Sequence, residues 1–274
     1  MPKLIDTPIE RYSVGGREIW VKREDQACPS PGPPFSKVRG LVPALEKLAS
    51  NGIFTVGYTE TSISMAGWGV AWACKKLGMK AVIFDPQYKN TPALLEHHRK
   101  QWKQFGPEII PIKAGMAKVN YFISKKTLKD NYPNSWLLPL GLVLPETIEA
   151  TQQVAMKLKN DFHTIVVNVG SGTICSGLLK AFTNHKVIGV MGRTGNVQRK
   201  RQMILSKARL QDGGMFGVKG FDLVDPGWQY TDPCRIKSPF PTHPYYDAKA
   251  WHWLCQNLDE LNDPILFWNI GRVH

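Results

Sequence analysis

The chain has 274 residues, of which 43% are hydrophobic and 21% are charged, a composition typical of a globular protein with one large or two modest cores. It contains no apolar run of about 18 residues, and its first six residues lack the apolar core of a signal peptide, so we expect a cytoplasmic protein without a membrane span. The five cysteines are widely spaced without a C-x-x-C pair, which predicts buried thiols and no metal site. The formal net charge of +13 favours a polyanionic partner or substrate.

The first predicted elements surround Lys37. A β-branched and aromatic run ends in the charged residues 22–25, the loop 28–34 is rich in proline, and a helical pattern extends from about residue 36 to residue 51. Ser36 is a suitable cap for this helix. Lys37 in the first turn would face the positive end of the helix dipole, which lowers the pKa of an ammonium group, as a Schiff-base amine requires. A solvated surface lysine is the alternative.

Strands and helices alternate along the rest of the chain. We predict strands over residues 53–58, 80–84, 109–112, 164–169 and 186–191. Helices are predicted over residues 68–77, 91–104, 116–130, 147–160, 178–183 and 197–210. The neighbouring His97 and His98 would not share a helix face, which argues against a metal site at that helix.

A glycine loop follows the strongly β-forming run 164–169. Gly170, Ser171, Gly172 and Thr173 lead directly towards a helix, a geometry that aims backbone N–H groups and a helix N-terminus at a phosphate. The loop has neither the Walker lysine nor the spacing of a Rossmann dinucleotide site. A merely tight connection between strand and helix is the alternative interpretation.

Basic and aromatic residues follow in the last third of the chain. The densest basic cluster belongs to the helix 197–210 and the turn before it, and it includes Arg193, Arg199, Lys200 and Arg201. These side chains are candidates to contact a nucleic-acid backbone. The proline-rich and aromatic segment 225–242 contains Trp228 and Tyr230, which are suited to stack on a base. Solvated charge and packing under a long loop are the alternatives.

Residues 22–25 (KRED) and 35–40 (FSKVRG) resemble a segment of the fold-type II pyridoxal-phosphate (PLP) enzymes, the superfamily of tryptophan synthase β, threonine synthase and aminocyclopropane-carboxylate (ACC) deaminase. The resemblance implies that Lys37 forms the Schiff base with PLP. The glycine loop Gly170–Ser171–Gly172–Thr173 is similar to the family's G-S-G-G-T loop, which holds the cofactor phosphate. Residues 59–67 resemble the S-x-G-N-x-G segment, which implies that Ser62 and Ser64 bind the substrate carboxylate.

The C-terminal part extends this resemblance and departs from it at two positions. Residues 243–250 look like the D-P-x-Y-x-x-K-A segment, and residues 266–271 resemble the last strand, L-F-x-H-T-G-G. Met65 stands where relatives have an asparagine at the ring oxygen, and Ile270 stands where they have a hydroxyl at the pyridine nitrogen. Asn269 is the nearest candidate to replace the latter. The glycines at 213–214 and 217–220 would lie in loops at the mouth of the site.

The resemblance implies an α/β fold with the two-domain open twisted sheets of PLP fold-type II, as in tryptophan synthase β, and a homodimer. A large cofactor-binding domain would comprise residues 1–47 and 145–274, and a small domain residues 48–144.

For the function, the resemblance implies a lyase-type enzyme acting at Cα of an amino-acid group through Lys37. The net charge of +13 favours an amino acid attached to a thymine base in DNA, decarboxylated or eliminated as in phage DNA hypermodification, in the cytoplasm of the host. Two alternatives stay open. One is a deaminase, desulfhydrase or dehydratase of a free small amino acid, and the other is a catalytically inactive relative that binds nucleic acid.

Overall fold

The computed structural model describes residues 4–158, 161–210 and 220–273. In chain order, the strands of this part are β1 (Ile9–Val14), β2 (Arg17–Arg23), β3 (Thr55–Thr59), β4 (Lys80–Gln87), β5 (Glu108–Lys113), β6 (Ser135–Leu137), β7 (Thr164–Val169), β8 (Lys186–Met191), β9 (Phe221–Val224) and β10 (Ile265–Asn269). Within these described ranges, no helix is long and apolar enough to cross a membrane.

The helices alternate with these strands. In chain order, they are α1 (Val38–Ser50), α2 (Ala66–Leu77), α3 (Ala93–Lys103), α4 (Ala117–Asn131), α5 (Pro145–Met156), α6 (Thr173–Ala181), α7 (Val197–Ala208) and α8 (Asp247–Gln256). Short 3-10 helices lie at Glu24–Gln26 and Leu258–Glu260.

The chain divides into two compact units. The large unit comprises Ile5–Cys28, Pro34–Gly40 and Pro145–His274, and the small unit is formed mainly by Leu41–Leu144 with Pro29–Pro33. The sequence places the boundaries of the small domain at residues 48 and 144, so helix α1 crosses the boundary earlier than we expected.

The large unit is built on a six-stranded sheet with the order β1-β2-β10-β7-β8-β9, in which only the β1-β2 pair is antiparallel. Successive residues of β7 alternate between the two faces of this sheet. Ile165 and Val167 pack in a core with α5, α6 and α7, whereas Val166 packs in a second core with Trp251 of α8. All three side chains are fully buried, as expected for a parallel strand covered on both faces.

The small unit is built on a four-stranded parallel sheet with the order β5-β4-β3-β6. Its core includes Val82 and Phe84 of β4 together with Leu128 of α4. The architecture of both units is α/β with open sheets, which confirms the predicted fold class.

The bounds of β7 and β8 are those predicted, while several helices begin elsewhere. Helix α1 begins at Val38 rather than at residue 36, and α6 begins at Thr173 rather than at residue 178. The predicted helix 147–160 ends at Met156, and residues 159–160 lie outside the described part, as do the predicted glycine loops at 213–214 and 217–219. Strands β1, β6 and β9 were not predicted.

Candidate active site

The carboxyl ends of four strands of the large unit meet at one edge of the sheet, because β2, β10, β7 and β8 run parallel. Arg23 pairs with Asn269 at the ends of β2 and β10, and Val169 pairs with Met191 at the ends of β7 and β8. Ligands of open α/β sheets bind at this edge. The loops that leave these four strands are therefore where a site is expected.

The buried charged segment after β2 holds the start of α1 in place. Arg23 donates two hydrogen bonds to the carboxylate of Asp25, at 2.9 and 2.8 Å. Arg39 of α1 donates to the Glu24 carboxylate at 2.6 and 2.9 Å. Asp25 is fully buried and Glu24 is 1% exposed. Since buried ion pairs fix geometry closely, the KRED segment positions the residue that precedes α1, which is Lys37.

Lys37 lies immediately before α1 and its side chain is half-buried. Its backbone carbonyl accepts from Gly40 N at 3.2 Å, and its Nζ lies 3.4 Å from Ser171 Oγ. Burial and, to a smaller extent, the charge of Lys207 lower the pKa of Lys37 to about 8, against the opposing charge of Asp247. The lowered pKa has the direction expected for a Schiff-base amine, and its causes are burial and the charge of Lys207.

Ser36 does not cap α1. Its Oγ is buried and has no hydrogen-bond partner among the described residues, so the predicted cap is wrong. The backbone of Ser36 is used instead, because its N–H donates to the carbonyl of Ile270 at 2.9 Å. This bond ties the segment before Lys37 to the end of β10.

The glycine loop of Gly170, Ser171, Gly172 and Thr173 connects β7 to α6. Gly172 has φ +82°, and a Cβ on it would lie 2.6 Å from Ile204 Cγ1, so this position requires glycine. Ser171 Oγ and Thr173 Oγ1 lie 2.9 Å apart. Because α6 begins at Thr173, the first N–H groups of the helix lack intrahelical acceptors and are aligned for an anion.

Two lysines of α7, which follows the glycine loop in the chain, donate hydrogen bonds to carbonyl groups of that loop. Lys200 Nζ donates to Gly170 O at 2.9 Å, and Lys207 Nζ donates to Ser171 O. Burial lowers the pKa of Lys207 to about 8, with a smaller contribution from Lys200. The loop therefore combines backbone donors, two hydroxyls and two nearby lysines, a set that fits a phosphate group.

Asp247 at the start of α8 is the buried acid of this region. It is 1% exposed, and its carboxylate accepts from the backbone N–H groups of Ile270 at 2.9 Å and Gly271 at 3.2 Å. Burial raises the pKa of Asp247 to about 8, against these hydrogen bonds and together with the charge of Asp25. Sequence reasoning missed this residue, although it lies within the segment 243–250. An acidic residue in the first turn of a helix is ordinarily explained by its favourable interaction with the helix dipole, so the sequence gives no sign of a buried acid.

Asn269, predicted as a cofactor contact, is fully buried at the end of β10. Its Nδ2 donates to Asp25 Oδ1 at 2.9 Å and to Pro241 O at 3.0 Å. Its Oδ1 has no partner among the described residues, which leaves a fixed acceptor available. Asn269 thus precedes position 270 directly, and Asp247 accepts from the N–H group of Ile270, which stands where relatives have a hydroxyl.

The four predicted nucleic-acid contacts have different surroundings. Arg193 and Arg199 are exposed, and Lys200 reaches Gly170 of the glycine loop. Arg201 Nη1 donates to the carbonyl of Phe221, and its guanidinium lies 4.7 Å from the centre of the Phe221 ring. Arg201 therefore contributes to packing between α7 and β9.

The predicted stacking residues lie in the segment after β9. Trp228 packs edge-on against His252, and its ring lies 5.5 Å from Lys249 Nζ. Tyr230 Oη lies 3.1 Å from Tyr246 Oη. Tyr230 therefore faces the start of α8, and Trp228 contributes to packing on that helix.

Ser62 and Ser64 belong to the small unit, in the loop between β3 and α2. Ser64 Oγ accepts from Ala66 N at 3.0 Å. Glu60, 2% exposed, accepts from the N–H groups of Thr61 at 2.8 Å and Gly67 at 2.7 Å, and burial raises its pKa to about 8. Met65, which stands at the position of the family asparagine, is 7% exposed. The loop is thus organised by a buried carboxyl group that sequence reasoning did not identify.

The fold and the site are those of a cofactor-dependent α/β enzyme in which a lysine lies beside a loop suited to bind phosphate. A family model described as "Pyridoxal-phosphate dependent enzyme" matches residues 2–209. The chain belongs to this family, and its cofactor is pyridoxal phosphate. The described residues fit that group, since the loop offers helix N-terminal donors at Thr173 and the Lys37 amine lies beside it.

Among the relatives, a "Glycyl-dTMP PLP-dependent decarboxylase" of Pseudomonas phage M6 is 37% identical over 97% of this chain and 99% of its own length. A biosynthetic L-threonine dehydratase of Haemophilus influenzae is 32% identical over 63% of this chain, but only 32% of the dehydratase is covered. The crystal structure of an ACC deaminase homologue has a TM-score of 0.77 at 20% identity and covers 97% of this chain and 89% of its own. The structural similarity to this ACC deaminase homologue supports the α/β fold of the chain.

Among the described residues, no group of three histidine, cysteine or acidic side chains is arranged to hold a metal ion.

Proposed function

We propose that this chain is a PLP-dependent decarboxylase that acts on a glycyl group carried by a thymine nucleotide, with DNA as the substrate polymer. The observation that carries the proposal is the similarity along almost the full length of both chains to a glycyl-dTMP decarboxylase. The net charge of +13 supports it, because a DNA substrate requires a cationic surface that a free amino acid does not.

We assign the Schiff base to Lys37 and the cofactor phosphate to the glycine loop. The 3.4 Å distance between Lys37 Nζ and Ser171 Oγ supports this pairing. With a pKa of about 8, Lys37 is neutral in about a tenth of the molecules at pH 7, far more than an ordinary lysine, and the neutral amine is the attacking form. Asn269 and Asp247 are the candidates for the pyridine nitrogen.

When bound, pyridoxal phosphate supplies an electron sink for the bond that breaks at Cα. In the proposed reaction, the bond between Cα and the carboxylate carbon breaks, CO₂ leaves, and Cα receives a proton. The Lys37 side chain, in its protonated ammonium form, is the group assigned to deliver that proton. Exchange with Lys37 requires a primary amine on the substrate, so the glycyl group must be attached to the nucleotide through carbon rather than through nitrogen.

For the substrate, we assign the carboxylate to Ser62 and Ser64 and the base to Trp228 and Tyr230. The DNA backbone is assigned to Arg193, Arg199 and Lys200 of the basic cluster, whereas its fourth member, Arg201, packs on Phe221. We further propose a homodimer that acts in the cytoplasm of a bacterial host, where phage DNA is modified.

The test is a reaction of the PLP-loaded protein with an oligonucleotide that carries one carbon-linked glycyl thymine. We expect the oligonucleotide to lose the mass of one CO₂, and free glycine, threonine and ACC to be unchanged. Release of ammonia from a free amino acid without decarboxylation of the oligonucleotide would instead favour the deaminase alternative. If no substrate reacted, the nucleic-acid-binding alternative would remain.

The Lys37→Ala variant tests the assigned residue, and Lys126→Ala, an exposed lysine of α4, is its matched control. Borohydride treatment should leave the cofactor covalently attached to Lys37 in the unaltered chain and in Lys126→Ala, as read by peptide mass spectrometry. Attachment at another lysine would contradict the assignment of Lys37.

A further inference from the structure

A cavity of about 370 Å³ lies within the large unit beside the glycine loop. Its walls come from the ends of β7 and β8, the turn that follows β8, the first turns of α7, and two tyrosines. The lining residues are Val169, Gly170, Met191, Gly192, Arg193, Thr194, Gly195, Asn196, Lys200, Tyr230 and Tyr246. The volume is within the range of small-molecule sites, and it exceeds what a single phosphate would fill.

The charge of this cavity is positive. Arg193 and Lys200 contribute two cations, and no acidic residue belongs to the lining. Burial lowers the pKa of Lys200, and the neighbouring charge of Arg193 lowers it further. In the part of the chain that the structure describes, no carboxylate forms an ion pair with Arg193. Two unneutralised cations at close range favour an anionic ligand.

The turn that carries Arg193 is held rigidly. Asp225 Oδ2 accepts from Thr194 Oγ1 at 2.8 Å and from Gly195 N at 2.9 Å. The fully buried Lys249 donates to Gly192 O at 2.9 Å and to Gln229 O at 2.8 Å, so it links the turn to the segment that contains Tyr230. A site whose walls are fixed in this way is pre-organised for its ligand.

Gly192 in the cavity wall packs closely against the buried amide of Asn168. Asn168 Oδ1 is buried and has no hydrogen-bond partner among the described residues. It lies 2.8 Å from the position that a Cβ on Gly192 would occupy, and Gly192 lines the cavity. Asn168 Oδ1 therefore occupies the space that a side chain at position 192 would need, and glycine at this position lets the turn after β8 pack closely on the end of β7.

We propose that this cavity is the subsite for the nucleotide of the substrate, with Arg193 and Lys200 on the phosphate. The inference rests on the proposed function, since it names where the nucleotide that carries the glycyl group is bound. Tyr230, whose hydroxyl lies 3.1 Å from that of Tyr246, forms the aromatic wall against the pyrimidine.

The experiment measures binding of nucleotides without a glycyl group to the PLP-loaded protein by calorimetry. The probes are thymidine 5′-monophosphate, thymidine, deoxycytidine 5′-monophosphate and a short oligothymidylate. Arg193→Gln is the test variant, and Arg11→Gln is the matched control, because Arg11 is an exposed arginine on β1, at the other end of the sheet. Lys200 is left unchanged because it also holds Gly170 O.

We expect Arg193→Gln to weaken binding of thymidine monophosphate about tenfold, the effect of one charged hydrogen bond, while binding of thymidine and the Arg11→Gln control are unchanged. The cytidine nucleotide should show the same loss in Arg193→Gln, because the contact of Arg193 is with the phosphate. Tighter binding of oligothymidylate with a steeper salt dependence would identify a DNA phosphodiester rather than the free nucleotide as the natural ligand.

Equal binding of thymidine monophosphate by the unaltered chain and Arg193→Gln would overturn the proposal. So would displacement of the cofactor by the nucleotide, because the cavity would then belong to pyridoxal phosphate. Binding is measured without turnover, so the two proposals can fail separately. Arg193-dependent binding without decarboxylation would refute the proposed reaction alone, and decarboxylation without Arg193-dependent binding would refute the cavity alone.

Discussion

Lys37 Nζ lies 3.4 Å from Ser171 Oγ, although 134 residues separate the two in the sequence. The carbonyl of the same serine accepts a hydrogen bond from Lys207. Ser171 is therefore the residue at which the reactive amine, the glycine loop and helix α7 meet. The positive charge of Lys207 also lowers the pKa of Lys37, so α7 influences the amine electrostatically as well as holding the loop.

The first prediction concerns the pH dependence of cofactor attachment. The rate of attachment to apoprotein should rise with pH and reach half its maximum near pH 8, because the neutral form of Lys37 is the attacking species. The Lys207→Met variant removes a positive charge that disfavours the ammonium form, so the pKa of Lys37 should rise. We expect the midpoint to move up by about half to one pH unit, as followed by absorbance.

Lys180→Met, in the last turn of α6, is the matched control and should leave the midpoint unchanged. A downward shift in Lys207→Met would show that its charge is not what lowers the pKa of Lys37.

The second prediction compares two glycines of the same loop. Gly172→Ala places a Cβ 2.6 Å from Ile204 Cγ1 at φ +82°, so we expect a loss of about 1–3 kcal/mol in the free energy of unfolding. Gly170→Ala meets nothing within 4 Å and should retain stability. Urea denaturation of the apoproteins measures both values, and equal stability of the two variants would contradict the assigned role of Gly172.

Strands β7 and β8 of the large unit could be predicted from the sequence because they are β-branched runs buried on both faces. The start of α6 could not be predicted, since the residues Gly172, Ser176 and Gly177 are typical of a loop. The structure gives the physical reason, because a Cβ on Gly177 would lie 2.6 Å from Thr151 Cβ and 2.7 Å from Ile148 O. Gly177 thus allows α5 and α6 to pack closely, a tertiary requirement that overrides helix propensity.

The basic cluster of the site also shows that tertiary packing cannot be deduced from local sequence. The sequence does not distinguish Arg193 from Arg201, because both belong to the same basic cluster. In the structure, Arg193 lines a cavity and Arg201 packs on Phe221. Burial separates the acids in the same way, since Asp247 and Glu60 lie in polar segments of sequence but are 1% and 2% exposed. Lys37 and the glycine loop are marked in the sequence by their resemblance to family motifs, whereas the surroundings of Arg193, Arg201, Asp247 and Glu60 depend on the packing of distant elements.

The third prediction concerns the glycine that follows Arg39. A Cβ on Gly40 would lie 2.2 Å from the backbone N and Cα of Thr147, at the first turn of α5. Backbone cannot move aside as a side chain can, so Gly40→Ala should cost about 3 kcal/mol or more of unfolding free energy. Gly115→Ala, whose nearest neighbour would be Asn120 Oδ1 at 3.4 Å, is the control and should behave like the unaltered chain. A stable Gly40→Ala protein would mean that α1 and α5 can separate.

The fourth prediction follows from the buried carboxyl group of Asp247. Burial raises its pKa from 3.8 to about 8 in the folded protein, so folding favours the protonated form. The stability that this group contributes is fully present below its unfolded pKa and is lost as the pH rises through its folded pKa. Between about pH 4 and pH 8, the unfolding free energy of the unaltered apoprotein should therefore fall relative to that of Asp247→Asn, which cannot ionise.

Urea denaturation from pH 5 to pH 9 measures this difference, which should change by at most about 1.4 kcal/mol for each pH unit and level off above pH 8. Asn retains one oxygen for the N–H groups of Ile270 and Gly271, so a constant offset between the two curves is expected at all pH values. Only the pH-dependent part reports the ionisation of Asp247. Asp222→Asn, at an exposed ion pair with Lys186, should leave the shape of the curve unchanged. Parallel curves for Asp247→Asn and the unaltered chain would place the pKa of this carboxyl group in its ordinary range, and Asp247 would then be a permanently ionised acceptor at the end of β10.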